Sequence, residues 1–115
     1  MAVDREAQRR GEERLEDLHG DLLVRPGVDR GRMFSAEGLR VRGKVFAVVN
    51  HQGELMVKVP AARADELARA GAAAKVVMRE RELREWVAMP YDAGTGAWRG
   101  LLDEAFAYLD EITPR

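Results

Sequence analysis

The clearest periodic pattern of apolar residues lies near the carboxyl end of the chain. Over Ala97–Ile112, apolar side chains recur every three or four residues: Trp98, Leu101, Leu102, Ala105, Phe106 and Leu109. This spacing places them on one face of an α-helix. A helix is also predicted over Asp4–Leu23, where Leu15, Leu18 and Leu22 form a narrow apolar stripe. Because the rest of that helix is charged, we expect its first ten residues to fray or project.

The stretch between these two helices has the pattern of β-strands. Five segments rich in β-branched and aromatic residues fit it: Met33–Val41, Lys44–Asn50, Glu54–Val59, Ala72–Met78 and Glu85–Tyr91. Glu37 and Gly38 suggest a bulge or a kink in the first of them. Pro60 opens a helix that Gly71 ends, and a charged link over Arg79–Arg84 joins the last two strands.

The resulting order of elements is α-β(3)-α-β(2)-α. Short links favour antiparallel pairing of neighbouring strands, because parallel strands need a long crossover connection. The pattern therefore predicts an α+β fold of two layers, in which helices pack against one face of an antiparallel sheet.

Several segments, taken in order, carry a resemblance to a known family: Pro26–Val28, Gly31–Phe34, Gly38–Ala47, Val57–Pro60, Ala70–Gly71, Arg84–Val87 and Glu104–Tyr108. In these the chain resembles the MmcQ/YjbR family, which is similar to the amino-terminal domain of the competence regulator TfoX. The resemblance implies the same two-layer fold and suggests DNA binding, and it brings no agreed catalytic residues. We divide the chain into a charged helix over 1–25, partly an extension, and an MmcQ/YjbR-like domain over 26–115.

The charge balance limits the classes of partner. Nineteen Lys and Arg oppose twenty Asp and Glu, which gives a net charge of −1 and no general attraction to nucleic acid. The absence of cysteine excludes disulfides and thiolate chemistry. We expect no interaction with a membrane and a cytoplasmic location, because no apolar stretch is long enough to span a bilayer and the amino terminus lacks the apolar core of a signal peptide.

The best candidate for a functional site is a set of basic residues along the strands: Arg30, Arg32, Arg40, Arg42, Lys44 and Lys58. Between positions 33 and 60, four basic residues stand against two acidic ones. Arg40, Arg42 and Lys44 cluster near a predicted hairpin tip, where a β-ribbon can contact phosphates or read guanine. The alternative is a solvated strand face that keeps the sheet soluble.

Other chemistry has little support in the sequence. His19 and His51 lack the spacing of metal ligands, and Ser35 lacks the glycines of a nucleophile elbow. The larger aromatics are a candidate pocket lining, but core packing is the simpler interpretation: Phe34, Phe46, Trp86, Trp98 and Phe106. We therefore expect no enzyme, cofactor or metal site. Two functions stay open, which are DNA binding through the basic strands and a non-catalytic protein-interaction module or homodimer.

Overall fold

The computed structural model describes residues 4–33 and 36–115. The elements in chain order are α1 (Arg5–Leu18), α2 (Gly20–Leu23), β1 (Val28–Met33), β2 (Ala36–Val41), β3 (Lys44–Val49), β4 (Leu55–Lys58), α3 (Ala61–Arg69), β5 (Ala74–Met78), β6 (Arg81–Met89), a 3₁₀ turn (Tyr91–Ala93) and α4 (Thr95–Ile112). The expectations for Phe34 and Ser35 lie outside the described residues.

The strands form one antiparallel sheet in the order β1-β2-β3-β4-β6-β5. Strand β6 lies between β4 and β5, which are joined through α3. The predicted α+β class, with an antiparallel sheet packed against helices, is confirmed.

The main core lies between the sheet and the described helices. Trp98 of α4 and Phe46 of β3 are both fully buried in it, together with Leu15 of α1 and Leu67 of α3. The core interpretation holds for Trp98 and Phe46. Phe106 and Trp86 are only partly buried, but they pack against the main core and the second cluster respectively. A second, smaller cluster on the opposite face of the sheet consists of strand residues alone: Ala36, Val48, Met56, Val76 and Ala88.

The sequence pattern missed strand β1. The predicted strand Met33–Val41 corresponds to β2 from Ala36 onward, and β2 pairs with β1 from Val28 opposite Val41 to Met33 opposite Ala36. Charged residues at positions 29, 30 and 32 hid the strand, because an edge strand exposed to water need not alternate in hydrophobicity. The irregularity in β2 pairing falls between Leu39 and Arg40, and not at Glu37–Gly38 as expected.

The charged link predicted over Arg79–Arg84 is also wrong, since β6 already begins at Arg81. The connection shrinks to Arg79 and Glu80, whose φ angles are 51° and 64°. Two residues with positive φ are typical of the type I′ turn that joins tightly paired strands. The alternating charges of this segment therefore belong to an exposed hairpin and not to a loop.

Helix α1 is docked along its length from Asp4 onward, contrary to the expected fraying. The Asp4 carboxylate accepts a hydrogen bond from the Ala7 amide at 3.0 Å, and the Asp4 amide donates to the His51 carbonyl at 3.2 Å. Gly11 lies so close to the β3–β4 turn that an added Cβ would stand 2.7 Å from the Gly53 oxygen. The part of the expectation that concerns residues 1–3 lies outside the described residues.

Candidate functional site

Arg40, the central member of the basic set, is paired within the β1–β2 hairpin. Its Nε lies 2.9 Å from Oδ1 of Asp29 and its Nη2 lies 2.7 Å from Oδ2 of the same carboxylate, which is directly opposite on β1. This forked contact lowers the pKa of Asp29 below its usual value. The positive charge of Arg40 is therefore balanced on the surface that was predicted to meet phosphate.

Arg42 holds the end of helix α4. Its Nη1 donates to Oδ1 of Asp110 at 2.9 Å, and its Nη2 donates to the carbonyls of Asp110 at 2.8 Å and Thr113 at 3.0 Å. Its Nε donates to the Pro114 carbonyl at 3.2 Å. Since the side chain is only 18% exposed, Arg42 serves first to cap the carboxyl end of the helix.

Lys58 lies 3.7 Å from the Glu85 carboxylate, which also accepts a short hydrogen bond from the Tyr108 hydroxyl. That hydrogen bond raises the pKa of Tyr108 to about 12, with burial and the negative charge of Glu85 adding to it. The cation of Lys58 therefore belongs to a small polar network that connects β4 and β6 with α4.

The basic set does not form one patch. Arg30 lies opposite Leu39 and so shares the helix-facing side of the hairpin, whereas Arg40 lies on the other side. Arg30 and Lys44 are exposed and make no ion pair within the described ranges 4–33 and 36–115, and Arg32 is exposed as well. Sequence spacing could not distinguish paired from unpaired cations, because Asp29, Glu85 and Asp110 come from other elements.

The two edges of the sheet differ in chemistry. Strand β1 carries charged side chains along its length, whereas β5 exposes Val77 to 61%. The one charged residue of β5, Lys75, is already paired with Asp65 of α3 and Glu82 of β6. Strand β5 therefore has an open edge without an unbalanced charge.

A cleft of about 420 Å³ lies between α1 and the β1–β2 hairpin. One face of α1 supplies Glu12, Leu15 and Glu16, the residue after the helix supplies His19, and the hairpin supplies Arg30 among others. Nδ1 of His19 is buried without a hydrogen-bond partner. The cleft could not be predicted from the sequence, because its two walls belong to separate elements that only the fold brings together. The i, i+4, i+7, i+8, i+11 spacing from Gln8 to His19 was the available signal.

Neither a metal-binding cluster nor a membrane-spanning helix occurs in the described ranges, 4–33 and 36–115. No group of three His, Cys, Asp or Glu side chains in these ranges could hold a metal ion. None of the helices in the same ranges is long and apolar enough to cross a membrane.

These features define a small α+β domain with an open antiparallel sheet and helices on one face. Residues 22–99 match the sequence model of the TfoX N-terminal domain. The match spans more than half of the chain, from within α2 to the first turns of α4, and the chain therefore belongs to the TfoX N-terminal domain family. Searches of curated proteins and of solved structures gave no significant match.

Proposed function

We propose that this chain is a non-catalytic interaction domain of the MmcQ/YjbR type that pairs with a second copy of itself through the outer edge of β5. The observation that carries the proposal is the open edge of β5, with Val77 exposed and Lys75 neutralised. An edge strand of this kind is a ready template for another strand, because its outward amide and carbonyl groups have no partner in the sheet.

The hairpin geometry indicates which backbone groups face outward. Met78 and Arg81 flank the two-residue turn and are paired with one another. Residues next to such a turn exchange hydrogen bonds, and the direction of bonding then alternates along the strand. The amide and carbonyl of Val77 therefore point away from β6, and a register shift between Lys75 and Val76 ends this regular alternation.

One antiparallel register suits two copies of β5. A twofold axis at Val76 places Val76 beside its own equivalent and Val77 opposite Lys75 of the second copy. This register brings no two like charges together, whereas a register that placed Lys75 opposite itself would juxtapose two ammonium groups. Val76 belongs to the apolar cluster on the helix-free face, so the pairing would join the two clusters.

The opposite edge of the sheet, strand β1, is protected against pairing with a strand of another copy. Asp29, Arg30 and Arg32 of β1 are all exposed, and charged side chains on an edge strand discourage pairing. Each copy therefore offers one edge strand that can pair with another copy. Because both copies use the same edge, the association is isologous and closes at a dimer.

The test is sedimentation velocity over concentrations from about 10 to 500 µM, the range in which a small interface is expected to associate. Val77→Lys replaces the exposed apolar side chain of this edge with a charged one, which discourages strand pairing, and should raise the dissociation constant at least about tenfold. Val77→Thr is the matched control, because it keeps the β-branched shape and the charge. Thermal melts of both variants should resemble that of the unmodified chain.

Two results would contradict the proposal. A monomer at the highest concentration would exclude self-association, and a dimer unaffected by Val77→Lys would place the interface elsewhere. DNA binding through Arg30, Arg32, Arg40, Arg42, Lys44 and Lys58 stays a prediction from the resemblance. Salt-dependent binding of a labelled duplex, weakened by the double change Arg30→Gln and Lys44→Gln, would support that second function.

A further inference from the structure

The cleft between α1 and the β1–β2 hairpin has the size and chemistry of a small-molecule site. Its volume of about 420 Å³ lies in the range of ligand pockets. Leu15 of α1 and Leu39 of β2 are both buried and give it apolar surface, and the remaining lining is polar or charged except for Gly38.

The charges around the cleft are mixed in sign. Two arginines, Arg30 and Arg32, stand with three glutamates, Glu12, Glu16 and Glu37. This balance disfavours a polyanion such as a nucleotide triphosphate, and it equally disfavours a polycation. A molecule that carries one negative and one positive group satisfies both kinds of side chain.

Arg30 is the natural anchor for a carboxylate. It shares the helix-facing side of the hairpin with Leu39, and it makes no ion pair with the described residues. Arginine presents a planar fork of donors that matches a carboxylate with two parallel hydrogen bonds. Arg40 and Arg42 already use their forks for such contacts inside the domain.

Glu12 and Glu16 stand on the opposite wall, one helical turn apart on α1. Carboxylates at this spacing lie on the same face of a helix and repel one another when nothing lies between them. An ammonium group placed beside them relieves that repulsion, and its N–H groups can donate hydrogen bonds to both carboxylates.

His19 contributes a neutral imidazole ring whose tautomer is free to change when a molecule binds in the cleft. Its pKa is lowered by burial and by the charge of Arg30, against the opposing effects of Glu16, Asp17 and Glu37, so the ring is neutral near pH 7. Since Nδ1 is buried without a partner, no hydrogen bond fixes the tautomer. Only the remainder of the ring, which includes Nε2, can face the cleft, where it can donate or accept.

We infer that this cleft binds a zwitterion of the size of an amino acid, with its carboxylate on Arg30 and its ammonium group beside Glu12 and Glu16. The inference does not depend on self-association through β5, which lies at the opposite edge of the sheet.

Binding can be measured by two-dimensional NMR titration with glycine, L-glutamine and L-leucine as probes. The amide signals of His19 and Arg30 should shift with the zwitterions. N-acetyl-L-glutamine lacks the ammonium group and L-glutaminamide lacks the carboxylate, and each should bind at least about tenfold more weakly than L-glutamine, since a charge-assisted contact is lost.

Two variants make the test specific. Arg30→Gln should weaken binding of L-glutamine about tenfold. Lys44→Gln should leave it unchanged, because Lys44 is an equally exposed cation that does not line the cleft. The absence of shifts with all three amino acids would overturn the inference, and so would equal binding of the N-acetyl derivative or equal weakening by the two variants.

Discussion

Replacing Arg42 with alanine should destabilise the domain substantially, although the residue lies in a surface turn. The side chain is 18% exposed and makes four hydrogen bonds to the end of α4, and its partner Asp110 is 30% exposed. Fully exposed ion pairs contribute at most about 1 kcal/mol, whereas breaking a buried pair costs roughly 3–5 kcal/mol. For this half-buried network we expect a loss of about 3 kcal/mol.

The backbone of Arg42 provides an internal comparison. Its φ angle is 46°, in the left-handed region that costs about 1 kcal/mol or more for a residue with a Cβ. Arg42→Gly loses the same hydrogen bonds but relieves this strain, so it should be about 1 kcal/mol more stable than Arg42→Ala. Arg42→Lys keeps the charge but not the fork and should fall between the unmodified chain and Arg42→Ala.

Urea unfolding followed by tryptophan fluorescence gives the free energy of unfolding of each variant, and Lys44→Ala is the exposed control at the same turn. If Arg42 is instead a solvated cation reserved for an external ligand, Arg42→Ala will lose less than about 0.5 kcal/mol, as ordinary surface substitutions do. That result would refute the capping role, and a glycine variant no more stable than the alanine variant would refute the strain argument.

Two further predictions concern packing and pH. Gly11→Ala should cost about 1–3 kcal/mol, because its Cβ would meet the Gly53 oxygen at 2.7 Å and Val49 Cγ1 at 2.8 Å. Gly100→Ala in α4 meets nothing within 4 Å and should stabilise by up to about 1 kcal/mol; thermal melts that gave both changes the same sign would contradict this. The pKa of Tyr108, raised to about 12, lies above its value in the unfolded chain, so its contribution to stability is present below about pH 10 and is lost as the pH rises towards 12. Near-ultraviolet titration should show one late tyrosine whose pKa falls in Glu85→Gln, and an unchanged titration would argue against the hydrogen bond.

The sequence revealed those elements whose side chains face the core. The periodic residues of α4 and the apolar run of β3 are buried as their spacing predicts. Strand β1 and the first half of β6 were not predicted, because their side chains contact water or other charged groups and show no apolar alternation. Backbone hydrogen bonds between strands do not by themselves require apolar side chains. The sequence could not show which basic residues are paired with carboxylates, since Arg42 lies 68 residues from the aspartate that binds it.

The order of the strands has a consequence for synthesis of the chain. Strand β5 precedes β6 in the sequence, and among the described strands it pairs with β6 alone. Helix α4, which packs across β2, β3 and β4, comes later still. During translation β5 therefore has no strand to pair with until β6 has left the ribosome. The apolar face of the central strands likewise stays exposed to water until α4 has emerged. Since the ribosome adds about 5–20 residues each second, this exposure lasts for seconds, until α4 has emerged and packed on the sheet.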